Sequence, residues 1–373
     1  MRICFVNSEI FSSFTGYSRL NRIVGRELIK RGIEVYVMVP QIKGKRRIEQ
    51  LDGMTVLSFP NLSPKMLFSQ DFFRLPEADI YEIWDPYFVF SYLITRATPK
   101  SKHVVVFADP HEREDYKAVM SGDPKLREGR QRSNLRIPYF ALYLYLRFLR
   151  PYLAEKVISK GDAYFCEAKF LFPKVKRMHN LKTEPILLPH VAEIPGQKPI
   201  KSSQPTVCFL AHWGVKKRPE RFFEIARRFP EVKFIAMGRT NEPIRDERLR
   251  EIGSGLPNLE MTGVVSEERK REILEKSWIL VNTSVHEGLP QAFIEACTHR
   301  CAILSTVNPD DYATNFGYHI ENDDFESGLE YLLENDRWKE RGERGFEYTK
   351  ETNEINKVIE RRIQVYESLL GKR

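Results

Sequence analysis

The sequence predicts an α/β protein of two similar domains, each a parallel sheet with crossover helices. Three observations lead there. The first forty residues run strand, loop, helix, strand, a unit that needs a parallel sheet. A break at 194–205 (IPGQKPIKSSQP) carries three prolines and has linker composition. After it the chain begins again on the same plan, Thr206-Val-Cys-Phe-Leu echoing Arg2-Ile-Cys-Phe-Val. The 373 residues fill two domains at roughly 100–200 residues each.

Each element follows from its own pattern. Arg2–Asn7 is a short apolar strand, and Phe11–Gly16 is a loop that ends in glycine. Tyr17–Arg31 is amphipathic, with Leu20, Val24, Leu28 and Ile29 on one face; Gly32 stops it and Glu34–Pro40 is the next β-branched run. Buried strands are predicted at Thr55–Phe59, Ile80–Ile83, His103–Phe107, Ala163–Cys166 and Ile186–Leu188. Beyond the linker they recur at Thr206–Leu210, Lys233–Met237, Leu259–Thr262, Ile279–Asn282 and Ala302–Ser305. Glu354–Leu370 reads as an amphipathic helix through Ile355, Ile359, Ile363, Tyr366 and Leu370. Two such domains place a ligand cleft at the carboxyl ends of their strands.

Composition narrows the classes. Apolar residues make up 42% and charged residues 29%, a globular balance. The formal charge of +8 suits an anionic ligand or an acidic membrane surface but is too small to indicate nucleic-acid binding. Five scattered cysteines without a CxxC pair form neither a disulfide framework nor a zinc ribbon. Cys297, His299 and Cys301 are spaced like ligands. On a continuous helix, though, residues two apart point to different faces, so His299 does not join the cysteines. No signal peptide is expected at the start, and the longest apolar stretch, Ile137–Leu149, is too short to span a bilayer. A cytoplasmic protein is expected, with peripheral membrane contact allowed.

Familiar phosphate and hydrolase signatures are missing: no G-x-G-x-x-G, no P-loop and no G-x-S-x-G elbow. There is also no D-x-D to hold a divalent metal on a diphosphate. What remains is the segment WILVNTSVHEGLPQAFIEACTHRCAILS, 278–305. A strand feeds the loop Ser284–Leu289, and a helix is predicted from Pro290 to about His299, since proline fits a first helical turn. Gly288 admits close backbone approach, and the N–H groups of Leu289, Gln291 and Ala292 make an anion site. Glu287 and Glu295 flank it. Two glutamates around an anion-binding turn suit a nucleotide-sugar, whose phosphates need donors and whose hydroxyls need acceptors.

The stretch Glu287-Gly-Leu-Pro-Gln-Ala-Phe-Ile-Glu295-Ala resembles the E-x7-E motif of the retaining glycosyltransferase family 4, which has the GT-B fold. Asn7–Arg31 is similar to that family's glycine-loop entry. Phe209-Leu-Ala-His-Trp-Gly-Val-Lys-Lys-Arg-Pro is similar to the strand and basic loop that open its nucleotide-binding domain. The turns carrying Gly238 and Val264 match later donor-side turns. The resemblance implies that Glu295 binds the ribose hydroxyls and Glu287 contacts the donor sugar. It further implies that Gly16 and the backbone of Gly288, Leu289, Pro290 and Gln291 surround the diphosphate, and that Lys217 neutralises the leaving group. Family members pair that lysine with an arginine. Here His212 takes the place, with Lys216 or Arg218 as substitutes. A histidine of the N-terminal domain near the sugar is represented by His111, and Asp109 fits the spacing equally. Arg300 and His190 depart from the family's usual glycine and asparagine.

The stretch Lys125–Arg150 carries seven basic residues against Glu128, interleaved with aromatics. A basic face with aromatics suits an anionic membrane and a lipid-linked acceptor; a core helix with one solvated basic edge accounts for it as well. The expected domains are 1–196 for the acceptor, 205–350 for the donor, and 351–373 as a helix packing back on the first. The function expected is transfer of a sugar from a nucleoside-diphosphate-sugar to the hydroxyl of a glycan, lipid-linked or small-molecule acceptor. By the resemblance it is metal-independent and retaining, with no cofactor and no nucleic acid. Alternatives are a GT-B-like sugar phosphorylase, a sugar-nucleotide epimerase, or a non-catalytic basic protein that binds anionic lipid or nucleic acid.

Overall fold

The computed structural model describes residues 1–7, 16–40, 48–59, 75–110 and 148–371. They form two compact units. The first contains the described residues up to Pro110, then 148–191 and 356–371; the second contains Ala192–Ile355.

In the first unit the strands are β1 (Arg2–Val6), β2 (Glu34–Pro40), β3 (Ile48–Leu51), β4 (Met54–Phe59), β5 (Ile80–Ile83), β6 (Lys102–Phe107), β7 (Ala163–Cys166) and β8 (Ile186–Leu187). They form one sheet in the order β3-β4-β2-β1-β5-β6-β7-β8. All pairs are parallel except β3 with β4. Ile3, Cys4, Phe5 and Val6 are all buried, as expected of a strand with both faces covered. The helices are α1 (Gly16–Lys30), α2 (Val89–Ala97), α3 (Arg150–Ile158) and α4 (Leu171–Met178). The loop predicted at Phe11–Gly16 lies outside the described residues except for Gly16, which opens α1.

The second unit carries β9 (Thr206–Leu210), β10 (Lys233–Met237), β11 (Leu259–Gly263), β12 (Ile279–Asn282), β13 (Ala302–Ser305) and β14 (Gly317–His319). Its sheet runs β11-β10-β9-β12-β13-β14 and is parallel throughout. Its helices are α5 (Pro219–Arg228), α6 (Pro243–Ser254), α7 (Glu267–Lys276), α8 (Gln291–Thr298), α9 (Tyr312–Phe316), α10 (Phe325–Leu333) and α11 (Arg337–Thr352). The last helix, α12 (Ile355–Leu369), begins at the final residue of this unit and otherwise belongs to the first. The core of one sheet face is built from Phe209, Trp213, Phe222, Phe223, Phe234, Phe325 and Trp338. From β9 the chain moves one way to β10 and β11, then returns to the other side of β9 as β12. That reversal opens a crevice at the carboxyl ends of β9 and β12, the usual ligand position in such sheets.

Two details differ from the sequence expectation, and a third, at Arg300, agrees with it. Pro290 is not the first helical residue but the N-cap, with φ −63° and ψ 125°, because an extended ψ lets the chain turn off the strand first. The helix ends at Thr298, so Cys301 lies beyond it and the helical-face argument over 297–301 does not apply. Cys297 and Cys301 are buried free thiols, and the His299 ring meets the Glu295 carbonyl at 2.8 Å. Arg300 adopts φ 56° at the position that favours glycine. Its guanidinium lies 3.5 Å over the Phe346 ring and bonds Glu343 at 3.1 Å, which offsets the strain.

The C-terminal helix brings a buried charge into the first unit. Arg362 donates to Glu82 of β5, and the Tyr366 hydroxyl donates to the same carboxylate. Burial alone would lower the Arg362 guanidinium; the Glu82 charge more than reverses this and holds it above its ordinary value. His190, near the end of the unit, pairs with Glu167 at 2.9 Å.

Candidate functional site

The site builds from the loop after β9. His212-Trp-Gly leads to a single 3-10 turn, Val215–Lys217, and Arg218 follows with φ 45°. This left-handed residue reverses the chain into α5, whose Pro219 suits a first turn. The turn is stitched to the loop after β12. The Val285 N–H donates to the Lys216 carbonyl at 3.0 Å. The Thr283 hydroxyl reaches the carbonyls of Lys217 and Arg218 at 2.6 and 2.9 Å, and Arg218 Nε donates to the Thr283 carbonyl at 2.6 Å.

This stitching puts Lys217 and Glu287, seventy residues apart, into one ion pair. Ser284 Oγ donates to the same glutamate oxygen at 2.6 Å. The Glu287 side chain is 8% exposed and that of Lys217 20%, so water screens the pair only partly. Directly after it comes the first turn of α8, where backbone N–H groups favour an anion. Gly288, Leu289 and Pro290 are buried, and Gln291 begins the helix.

Glu295 stands one turn into α8. Its carboxylate is held by Lys270 of α7 at 3.0 Å, and each side chain is 12% exposed. Lys270 also bonds Glu267 at 2.9 Å. Neither partner was legible in the sequence, since nothing in EERKREILEK sets Lys270 apart from its charged neighbours.

The remaining predicted residues fall as follows. His212 is exposed at the end of β9; partial desolvation and then the Lys217 charge lower its imidazole below the usual value. It therefore offers a neutral hydrogen-bonding group at pH 7, not a cation. Arg218, a proposed substitute, is committed elsewhere: besides Thr283 it pairs with Asp323 at 2.8 Å. Gly238 has φ 119°, and a Cβ there would lie 1.8 Å from the Ala211 carbonyl oxygen. Its N–H bonds Gly263 at 2.8 Å, which ties the two turns, and Val264 beside it is 56% exposed. Gly238 thus shapes the crevice floor through its backbone. In the first unit, Gly16 opens α1 and Asp109 follows β6, half-buried. His111 lies outside the described residues.

Residues 191–347, which contain all of these second-unit groups, match the family model described as "Glycosyl transferases group 1". The second unit is a group 1 glycosyltransferase domain. A segment of 95 residues is 33% identical to one of the subunits of phosphatidylinositol N-acetylglucosaminyltransferase from Arabidopsis thaliana. That match covers 24% of this chain and 21% of the relative, so the chain spans about a fifth of the curated protein it matches. Among solved structures, sucrose-phosphate synthase from Thermosynechococcus elongatus superposes with a TM-score of 0.76 at 12% identity, over 99% of both chains. HepE of Anabaena, solved with UDP, gives 0.74 at 9% identity, over 99% of this chain and 100% of its own. At these identities the likeness establishes the fold, which is GT-B, with the glycosyltransferase domain as its second unit.

Proposed function

We propose that the protein is a glycosyltransferase that moves a sugar from a nucleoside-diphosphate-sugar to an acceptor hydroxyl. The observation that carries this is the joining of Lys217 to Glu287 at the switch point of the second sheet, beside the first turn of α8. Phosphate oxygens take the ammonium and the helix start, while the carboxylates of Glu287 and Glu295 accept hydroxyl hydrogens. As the bond between the anomeric carbon and the phosphate oxygen breaks, negative charge grows on the diphosphate, and Lys217 stabilises it most at that moment. The acceptor oxygen forms the new bond and its proton leaves with the departing phosphate. In this reading the anomeric configuration is retained and no metal or cofactor takes part. His212 contributes a hydrogen bond.

HepE has been solved with UDP and with UDP-glucose, which makes uridine donors the first to test. A nucleoside diphosphate at a hundred times its Kd should stabilise the fold by about 2.7 kcal/mol, and a melt unmoved by every common nucleoside diphosphate would reject the reading. Turnover should persist in EDTA, and NMR of the product should show the donor's anomeric configuration. Epimerised donor without acceptor, or phosphate-dependent turnover, would point to the epimerase or phosphorylase instead.

The acceptor is proposed to be a glycan or lipid-linked hydroxyl, with contact at an anionic membrane. Most of Lys125–Arg150 lies outside the described residues. The residues described from 148 onward support the idea: Phe148 and Tyr152 are 60% and 56% exposed, and Lys156 sits 5.3 Å over the Tyr152 ring. Among the described residues no helix is long and apolar enough to cross a membrane. Co-sedimentation with anionic but not neutral vesicles is expected, and equal failure with both would dismiss it.

A further inference from the structure

Glu295 is nearly buried, and a carboxylate withdrawn from water stays charged only where a cation or donors compensate it. The cation is Lys270, 3.0 Å away and equally buried. The two residues sit on α7 and α8, and Lys270 occupies only the fourth position of α7, near the same ends of the helices as the crevice. Lys270 is itself fixed from the other side by Glu267 at 2.9 Å, so its ammonium is a bridge between one exposed and one buried carboxylate.

We infer that Lys270 is a positioning residue for the donor, its ammonium fixing the Glu295 carboxylate in the form and orientation that accept hydroxyl hydrogens from the ribose. The inference rests on the donor reading above and adds a residue to it. A charged carboxylate accepts two hydroxyl hydrogens, whereas a protonated one turns one oxygen into a donor and loses the pairing. Lys270 touches neither phosphate nor sugar in this scheme; it acts through Glu295. Glu267 meets Lys270 from its own helix, and the His299 ring meets the Glu295 carbonyl at 2.8 Å; Arg271 and Lys201 act on that imidazole. Burial, then Lys201, Arg271 and Lys270, push the His299 imidazole down to about 4, so His299 stays neutral between pH 6 and 8.

The test uses the full chain and five probes, UDP, ADP, GDP, CDP and TDP, with the tightest wild-type binder carried into calorimetry from pH 6 to 8. Lys270→Met should weaken that diphosphate about tenfold at pH 7, and the ratio of variant to wild-type Kd should grow toward pH 6, the probe's own protonation near pH 6 affecting both proteins alike. Lys270→Arg should restore most of the affinity. With donor and acceptor, the Lys270→Met defect should appear in the donor KM more than in kcat. A Lys270→Met protein that melts like wild type and binds within twofold of it at every pH overturns the inference. So does a pH-independent loss that Lys270→Arg does not repair. Glu295→Gln separates the two readings: undiminished affinity there removes the ribose assignment itself. Weakened affinity there, with Lys270→Met unaffected, removes only the role of Lys270. If none of the five probes binds wild type, both readings fall together.

Discussion

Single residues set the crevice's shape and its charge by different means. Gly238 acts through its missing side chain: a methyl group would collide with the Ala211 carbonyl at 1.8 Å, and φ 119° is costly for any other residue. Gly238→Ala is expected to cost about 2–5 kcal/mol, read as a fall in the urea midpoint, together with weaker diphosphate binding. Glu287 acts through charge. Glu287→Gln keeps the shape and the Ser284 contact but removes the charge opposite Lys217 and turns one of the two acceptor oxygens into an amide donor. Turnover should fall by about 10²-fold or more with diphosphate affinity unchanged or higher, since Lys217 is released. Wild-type turnover in that variant would remove Glu287 from the reacting centre.

Among the elements, α12 is anchored electrostatically as well as by apolar packing. Val358, Ile359 and Tyr366 pack in the core, and Arg362 enters it beside them to meet Glu82. Removing one member of a buried pair strands the other charge, so Arg362→Met should destabilise by about 3–5 kcal/mol and adding Glu82→Gln should recover part of it. Denaturant titration of both variants decides this. The helix itself was legible from its spacing, because Ile355, Ile359, Ile363 and Tyr366 repeat along one face. Arg362 was not, because a pattern of apolar positions has no way to mark an arginine that goes inward. The strands were legible where both faces are buried: Ile80–Ile83, Ala163–Cys166 and Ile279–Asn282 fall where their apolar runs lie. Two of the four edge strands escaped, β3 because it exposes alternate residues and β14 because it has only three; the other two, β8 and β11, fall on predicted runs. At the site, the E-x7-E segment could be read directly, since loop and helix are contiguous. The links Lys217–Glu287 and Lys270–Glu295 are products of the sheet's strand order, and no local pattern encodes them.

At the scale of the whole molecule, stability carries a pH dependence written by two buried imidazoles. His103, bonded to the Thr98 hydroxyl at 2.9 Å, and His299 are each pushed down to about 4, chiefly by burial. In the unfolded chain they titrate near 6.5. Below that value the unfolded state takes up protons that the folded state refuses until about pH 4. Their contribution is therefore fully present above pH 6.5 and lost as pH falls toward 4. From pH 7.5 to 5.5 the two should together remove about 2–3 kcal/mol. Urea titrations at both pH values measure this, and a His103→Asn variant should show about half the slope; an equal slope would exclude His103 as a source. The chain's path through the second unit has a separate consequence. Ala192 lies beside Asn353–Ile355: its N–H donates to the Asn353 carbonyl at 2.7 Å and its carbonyl accepts from the Ile355 N–H at 3.0 Å. The described residues of the unit are thus one continuous stretch whose two ends meet. A peptide cut at that point has its two ends already side by side, so a short linker could join them and new termini be opened in a surface loop elsewhere. Such a circular permutant would preserve every strand neighbour in the second sheet.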